Sequence, residues 1–307
     1  MMHHILAPDF YCIDPRPKNI VVGFICSYVL VSGNEAVVIE PGPDSGAENV
    51  VEELKKLGLA DMVKYVIATH IHLDHGGGLG RMLQLLPKAV GLVHPRAVKH
   101  LIDPTKLWKA SRAALGWLGE VYGKPTPAPP DRLLGVEDGQ EFRLGDLTLR
   151  IVHTVGHASH HISIYVPERR LLFTGDSAGI YLKEIDKVVP TTMPPFRFDP
   201  YVESIEKQIK LDPETLAYTH TWIAGNGRSR LEKHKEHVLK LLDDVIEGLK
   251  AGVGREGLLE FLAKRDDDIR HILSYIKGND VLNLLVELAI EGLYLEAEER
   301  LKVVHSG

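Results

Sequence analysis

Four side chains able to bind a metal ion lie within six consecutive positions, directly behind an apolar run. Residues 63–68 predict a buried strand, and THIHLDHGGG follows at residues 69–78. The glycines allow a sharp turn after the strand, so that His70, His72, Asp74 and His75 can converge. A polar loop with surface histidines is the alternative, but chance rarely places this pattern behind an apolar strand. The string predicts a metal site at a strand end of a layered α/β fold.

Three further potential ligands occur later in the chain, each where a strand is predicted to end. His157 stands in TVGH, Asp176 in FTGD, and His220 in LAYTH. Loops that leave strands are where a layered fold gathers its functional groups. Imidazole and carboxylate groups also suit the same divalent ions. We therefore expect His157, Asp176 and His220 to complete the site.

The hydrophobic pattern in the first third of the chain predicts an alternation of strands and helices. Two apolar runs between residues 20 and 39 flank Ser32, Gly33 and Asn34, which indicates a β-hairpin. Apolar residues at helical spacing follow at 50–57, and Gly58 then provides a helix C-cap. Strand, helix and strand in this order are typical of an α/β layered domain.

Two later segments depart from this pattern. Residues 103–131 combine a helical aromatic stretch with the proline-rich KPTPAPPD, which predicts a helical excursion and a stiff connector. Short alternating strands return at 141–174, and from residue 230 onward the periodicity is almost wholly helical. We therefore predict a catalytic domain at 1–228 that includes the excursion, and an α-helical C-terminal extension at 229–307.

The ordered set of motifs resembles the metallo-β-lactamase fold superfamily, in particular its glyoxalase II-like hydrolases. THIHLDHGGG, GHASHHIS, FTGD and the final His220 carry the resemblance, which covers about residues 20–225. It implies a four-layered αβ/βα sandwich. It also implies one metal ion on His70, His72 and His157, a second on Asp74, His75 and His220, and a bridging Asp176. Glu40 replaces the family's usual aspartate, and we expect it to accept a hydrogen bond from an imidazole.

Such a centre predicts hydrolysis of a small-molecule ester-type bond: a thioester, lactone, carboxylic ester or phosphoester. Two divalent ions lower the pKa of a bridging water toward about 7, which supplies hydroxide without a serine or cysteine nucleophile. Asp74 and Asp176 are the predicted catalytic residues, and Asp74 can handle the proton of the leaving group. Zinc is the leading metal, while iron, manganese, cobalt and nickel are chemically compatible.

Four further residues are candidates for the substrate pocket. His161 aligns with the family's second histidine in its Gly-His motif, and Tyr181 follows Asp176 by five residues. Trp108 and Trp117 lie on the helical excursion, where they form either a lid over the substrate or a stripe that packs on the core or on another subunit. The helical segments also allow a homodimer or a higher homo-oligomer.

Alternative functions are ranked by what each one requires. A phosphotriesterase, phosphodiesterase or lactonase specialist fits the same centre. A nuclease would need a basic arm, whereas the net charge is −6. A persulfide dioxygenase uses one iron, which the second ligand set argues against. A diiron flavoprotein would need a flavodoxin-like domain for which the chain has no room.

Composition adds expectations about location. The chain has only two cysteines, Cys12 and Cys26, which predict neither a disulfide framework nor a zinc ribbon and fit a reducing, cytoplasmic compartment. No signal peptide or membrane-spanning stretch is predicted, so no membrane partner is expected. Three glutamines and six asparagines among many charged residues are typical of thermophile proteins.

Overall fold

The computed structural model describes residues 2–220 and 222–305, with side chains described through residue 302. Two compact units divide the chain, and they are interleaved in sequence. The first unit comprises residues 1–153, 159–175 and 213–225, and the second comprises 154–158, 176–212 and 226–307. The predicted boundary between residues 228 and 229 stays a prediction.

Two β-sheets form the frame of the first unit. The strands of the first sheet are β1 (His3–Ala7), β2 (Phe10–Ile13), β3 (Ser27–Ser32), β4 (Glu35–Ile39), β5 (Val63–Ile67), β6 (Val90–Val93) and β7 (Leu133–Gly135). Those of the second sheet are β8 (Glu141–Leu144), β9 (Leu147–His153), β10 (Ile162–Val166), β11 (Leu171–Gly175), β14 (Thr215–Tyr218) and β15 (Ile223–Ala224).

Strand order explains why the candidate ligands gather at strand ends. The first sheet runs β1 to β7 in sequence order, with β1–β4 antiparallel and β4–β7 parallel. The second runs β15-β14-β11-β10-β9-β8, and β14 is parallel to β11. The carboxyl ends of β4 and β5 therefore lie side by side, as do those of β11 and β14.

Side chains on opposite faces of the central strands β4 and β5 pack into two separate cores. Val38 and Val66 join one buried cluster with residues of the helices α1 (Asp44–Lys56), α2 (Leu79–Leu85) and α3 (Val98–Ile102). Val37 and Ile67 face the other way and pack against the second sheet, for example Ile151 of β9. A strand with both faces buried reads as a nearly continuous apolar run, which explains the strong sequence signal of β4 and β5.

The first unit also contains a cysteine pair that the sequence does not predict. Cys12 and Cys26 form a disulfide, with their Cα atoms 5.4 Å apart. Antiparallel pairing of β2 with β3 places Cys12 opposite Tyr28, two residues from Cys26. The fourteen-residue separation carries no pairing information by itself, because the register of these strands decides the contact.

Helices make up most of the second unit. It contains α6 (Phe198–Lys210), α7 (Gly227–Lys250), α8 (Arg255–Arg265), α9 (Asp267–Tyr275), α10 (Asp280–His305) and the hairpin of β12 (Ile180–Leu182) and β13 (Lys187–Val189). Leu231, Val238 and Leu242 repeat at helical spacing on α7 and are buried. The predicted helical character beyond residue 230 is confirmed.

Most element predictions agree with the structure. The hairpin is β3–β4, the helix before Gly58 is α1, and the excursion forms α4 (Thr105–Leu115) and α5 (Trp117–Tyr122) before its proline-rich connector. The short strands β1, β2, β6 and β7 were not predicted, because they lack strong alternation. Across the described residues, every helix is too short or too polar to cross a bilayer.

Candidate metal centre

The chain turns sharply after β5, and this turn carries four of the predicted ligands. The backbone N–H groups of His75 and Gly76 both donate to His72 O, at 3.0 and 2.9 Å. A side chain at Gly77 could not be accommodated, since a Cβ there would lie 2.2 Å from Leu73 O. The glycine run thus permits the tight turn that the sequence predicts.

Asp74, His75 and His220 form a compact cluster within the first unit. Their ligand atoms all lie within 4.8 Å of one another. His75 Nε2 is 3.2 Å from His220 Nε2, and Asp74 Oδ2 is 3.8 and 3.7 Å from these two nitrogens. Both imidazoles are buried, whereas the Asp74 side chain keeps 14% exposure. Two imidazole nitrogens and a carboxylate oxygen that converge in this way suit a divalent cation.

Glu40 holds His75 and two neighbouring threonines in place through hydrogen bonds. It is buried, and its Oε1 accepts hydrogen bonds from His75 Nδ1 at 2.9 Å and from the hydroxyls of Thr69 and Thr219 at 2.6 and 2.8 Å. Because the carboxylate accepts, Nδ1 of His75 carries the proton and Nε2 presents its lone pair to the cluster. The expectation that Glu40 accepts from an imidazole is confirmed.

Strand pairing brings His220 to the cluster from far along the chain. β14 ends at Tyr218, and Thr219 then bonds Glu40. Ile25 forms a β-bridge with His220, and Cys26 N–H donates to Thr219 O at 2.9 Å. The Phe24 ring stacks on the His220 imidazole, with 4.4 Å between ring centroids. The pairing of Ile25 and Cys26 with this segment thus delivers His220 to the site.

His70 and His72 form a second group on the same turn. His70 Nε2 lies 2.9 Å from His72 Nδ1, and His70 Nδ1 lies 3.1 Å from the hydroxyl of Thr69. The buried His161 ring is 4.9 Å from the His70 ring. Gly175 must lack a side chain, because a Cβ there would meet both His161 Nε2 and Thr69 Oγ1 at 2.6 Å. His161 thus packs beside a predicted ligand.

The second unit holds the remaining two predicted ligands close together. His157 Nε2 lies 3.5 Å from Asp176 Oδ2, and both side chains are buried. His157 Nδ1 donates to Thr191 O at 2.8 Å, so its Nε2 also presents a lone pair. The loop of His157 is fixed on α6, where a Cβ at Gly156 would lie 2.4 Å from the Tyr201 backbone.

A chain of buried hydrogen bonds extends from this pair. The Thr191 hydroxyl donates to Asp176 O, the Tyr201 hydroxyl lies 3.1 Å from Thr191 Oγ1, and His234 Nε2 lies 2.9 Å from the Tyr201 hydroxyl. Burial lowers the pKa of His234 to about 3, so its imidazole is neutral. Since the Thr191 proton is donated to Asp176, Tyr201 donates to Thr191 and His234 donates to Tyr201.

Three pocket candidates have locations of their own. The Tyr181 hydroxyl donates to Asp186 Oδ1 at 3.0 Å, and the Arg230 guanidinium lies over its ring. Trp117 starts α5 and is 49% exposed, whereas Trp108 of α4 is half-buried. The contacts of Tyr181 are those of a structural residue, and a substrate role for these three stays a prediction.

Sequence reasoning missed the group that orients His157. Thr191 acts on this imidazole through its backbone carbonyl, so no residue-type signal could have found it. The structure brings Asp74, His75 and His220 together, pairs His70 with His72, and pairs His157 with Asp176. The chain thus contains histidine and aspartate clusters that can bind metal ions.

Comparison with known proteins agrees with this fold and these clusters. The family model of the metallo-beta-lactamase superfamily matches residues 21–220. The chain belongs to this superfamily and is one of its hydrolases. The sandwich with a helical extension that the sequence predicts is therefore confirmed, while the glyoxalase II-like subtype stays a prediction.

Individual relatives support the assignment at different levels. The metallo-beta-lactamase fold-containing protein ST1585 of Sulfurisphaera tokodaii is 36% identical over 69% of this chain and 77% of its own length. Its crystal structure matches with a TM-score of 0.60 at 32% identity, over 71% of this chain and 80% of that one.

Two other relatives are more distant. The family protein TTHA1429 of Thermus thermophilus matches with a TM-score of 0.66 over 96% of this chain and 95% of its own, but at 20% identity this shows the fold alone. A human protein named acyl-coenzyme A thioesterase MBLAC2 is 28% identical over 59% of this chain and 66% of its own length.

Proposed function

We propose that this chain is a binuclear metal-dependent hydrolase that cleaves thioesters of small molecules. The observation that carries the proposal is the convergence of Asp74, His75 and His220, with His75 oriented by the buried Glu40. A bound cation stabilises ligand atoms that converge in this way. Without a cation, the same convergence is unfavourable.

The seven predicted ligands divide between two ions in this proposal. His70, His72 and His157 would hold one ion, Asp74, His75 and His220 would hold the other, and Asp176 would add a further carboxylate ligand. Imidazole and carboxylate ligands favour zinc. When bound, such ions supply hydroxide at neutral pH and polarise the substrate carbonyl.

The chain's own residues then have defined tasks. Glu40 and the Thr191 carbonyl keep the Nδ1 protons of His75 and His157 in place, so both rings keep their ligand tautomer. Asp74 has the accessible carboxylate of its cluster. It is suited to carry a proton to the leaving thiolate as the carbon–sulfur bond breaks. One water and one thioester thereby give one carboxylic acid and one thiol.

The thioester is chosen over other ester-type bonds because of the relatives. The human relative is named an acyl-coenzyme A thioesterase. A Cryptosporiopsis relative, 27% identical over 49% of this chain and 37% of its own length, is named an atrochrysone carboxyl ACP thioesterase. A small-molecule substrate, a cytoplasmic location and homo-oligomerisation remain predictions from the sequence.

Metal content combined with a substrate panel tests the proposal. The panel contains acyl-coenzyme A, lactoylglutathione, a homoserine lactone, a nitrophenyl ester, bis-nitrophenyl phosphate and paraoxon. We expect about two ions per chain, preferred turnover of a thioester, and loss of turnover in His72→Ala. Metal-free protein, or turnover unchanged by the substitution, would overturn the mechanism. Preference for the lactone or a phosphoester would replace the thioester by that class.

A further inference from the structure

The second unit contains a pocket of about 440 Å³. It is lined by the start of α7, the β12–β13 hairpin and the start of α9, and none of the described residues that line it is a predicted metal ligand. Protein pockets that bind small molecules have volumes of about 300–1,000 Å³. The space is therefore large enough for a small ligand.

One wall of the pocket is formed by His234 of α7, whose side chain is buried and only 3% exposed. Its Nε2 donates to the Tyr201 hydroxyl at 2.9 Å, so Nδ1 carries a lone pair. This Nδ1 has no hydrogen-bond partner in the described part of the chain. A buried acceptor without a donor is unfavourable, and in native proteins such a group needs an explanation.

The His234 ring is held in place, so it cannot turn to find a donor elsewhere. A Cβ at Gly179 would lie 3.0 Å from His234 Cε1 and 2.4 Å from Val188 Cγ1, which shows how closely this backbone packs against both side chains. The bond to Tyr201 fixes the other nitrogen. Because burial lowers the pKa of His234 to about 3, the ring is neutral at physiological pH and Nδ1 stays an acceptor.

The first turn of α7 makes the same pocket attractive to an anion. This helix has 24 residues, and its N-cap Asn226 makes no side-chain capping bond. Asn226 and Ser229 line the pocket, and the first backbone N–H groups of a helix have no partner within it. Lys233, one turn further along, also lines the pocket and has neither a hydrogen bond nor an ion pair with the described residues.

The other lysine, arginine and aspartate side chains of the pocket neutralise one another. Lys187 forms an ion pair with Asp268, and Arg230 Nη1 lies 2.7 Å from Asp186 Oδ1. The charge of Lys233 is therefore unmatched among these five lining residues. Together with the positive end of the α7 dipole, it favours one anionic group.

We propose that this pocket binds a small anion that also carries a hydroxyl group, such as a sugar phosphate or a hydroxy acid. The anionic group lies at Lys233 and the start of α7, and the hydroxyl donates to His234 Nδ1. His234 also begins the hydrogen-bond chain that ends at Asp176, and its Nε2–H already donates toward Tyr201. A ligand hydroxyl would thus extend this chain by one donor. The site does not depend on the proposed thioesterase activity, because it includes no predicted metal ligand.

Calorimetry with two matched pairs of compounds tests the site. Glycerol 3-phosphate is compared with propyl phosphate, and glycerate with propionate, since the second compound of each pair lacks the hydroxyl groups. We expect the hydroxylated compound of one pair to bind with a Kd about three- to tenfold lower than its counterpart. The pair that binds more tightly identifies the anionic group as a phosphate or a carboxylate. Equal Kd values within both pairs overturn the role of the hydroxyl.

Variants of α7 locate the binding. Lys233→Gln should raise the Kd by about tenfold or more, because hydrogen bonds to charged groups are strong. Lys235→Gln is the matched control, since Lys235 pairs with Glu206 and lies outside the pocket. Equal Kd values in wild type and Lys233→Gln, or no binding of any of the four compounds, overturn the proposal. Binding that His72→Ala removes would belong to the metal centre and overturns it as well.

Nitrogen-15 NMR of protein labelled at its histidines tests the contact with His234. The Nδ1 resonance of this residue is assigned by its absence from the spectrum of His234→Gln. Saturation with the tightest of the four compounds should shift this resonance in the wild-type protein and in Lys235→Gln, because Nδ1 gains a donor. A resonance that stays in place overturns the assignment of His234 to the ligand.

Discussion

The two groups of candidate ligands are oriented by different kinds of acceptor. In the first unit, His75 donates to the carboxylate of Glu40, which also bonds Thr69 and Thr219. In the second unit, His157 donates to the neutral backbone carbonyl of Thr191. Both acceptors fix the tautomer and orientation of their imidazole, but the charged carboxylate raises the basicity of the ring more than the neutral carbonyl does. The orientation of His75 thus depends on a side chain that a mutation can replace, whereas the orientation of His157 depends on the backbone.

The largest effect is expected where a ligand itself is removed. His75→Ala should abolish thioester turnover and release the ion of its cluster, because the cluster loses one of its two imidazole ligands and with it the geometry that a divalent ion requires. Metal analysis and kcat measure this. His271→Ala, at an exposed position on α9, is the control, and retention of the full metal content by His75→Ala would contradict the assignment.

Replacing the charged acceptor should have the next largest effect. Glu40→Gln keeps the size of the side chain but removes its charge, and we expect metal affinity to fall by about 10- to 100-fold. Competition with a chromophoric chelator measures this affinity. Glu35→Gln at the start of β4, the strand that Glu40 follows, is the matched control, since Glu35 pairs with Lys64 at the other end of the strand. Equal metal affinities in Glu40→Gln and Glu35→Gln would show that the negative charge of Glu40 does not strengthen metal binding by His75.

Loss of the Thr191 side chain should leave the orientation of His157 unchanged. Thr191→Val retains the carbonyl that His157 uses but leaves the Asp176 carbonyl and the Tyr201 hydroxyl short of a partner, at a cost of about 1–3 kcal/mol in stability. Thr192→Val is the control, because Thr192 is also buried but bonds Ala289 on α10. Urea unfolding should show similar losses in both, with metal affinity far less affected than in Glu40→Gln.

The smallest effect concerns pH. The pKa of His234 is about 3 in the folded protein because of burial, against about 6.5 when unfolded. The unfolded chain therefore binds the proton first. The stability that this histidine contributes is complete above pH ~6.5 and is lost as the pH falls, by at most about 1.4 kcal/mol for each pH unit down to ~3.

His234→Gln isolates this contribution. The difference in unfolding free energy between wild type and variant should shrink as the pH falls from 6.5, since Gln does not titrate. His94, in the first unit, has its pKa lowered to about 4 by burial and retains its effect in both proteins. A difference that stays constant between pH 6.5 and 5 would show that His234 is not kept neutral by burial.

Local sequence features predicted much of the centre. The string after β5 predicted His70, His72, Asp74 and His75 as candidate ligands, because such residues and glycines directly follow a strong apolar strand. Glu40 was foreseen as an acceptor because it replaces the aspartate that is usual at this place in the family that the motifs resemble. These features depend on residue type and short spacing, which a sequence records directly.

Other features depend on contacts between distant segments. The support of His157 by Thr191, the Cys12–Cys26 pairing and the stacking of Phe24 on His220 all follow from tertiary packing. The interleaving of the two units has the same origin. The short stretch 154–158, for example, belongs to the second unit, although the residues before and after it belong to the first. No periodicity or motif records such contacts, so the sequence could not predict them.

The bond between Thr219 and Glu40 also constrains the order of events during synthesis. These residues are 179 positions apart, and Tyr28 similarly donates to Tyr218 O across 190 positions. Contacts of such separation form late in folding, because closing the intervening chain costs entropy first. A nascent chain therefore cannot complete the cluster of Asp74, His75 and His220 before residue 220 has left the ribosome. Any metal ion that this cluster binds can stabilise the protein only after most of the first unit has been synthesised.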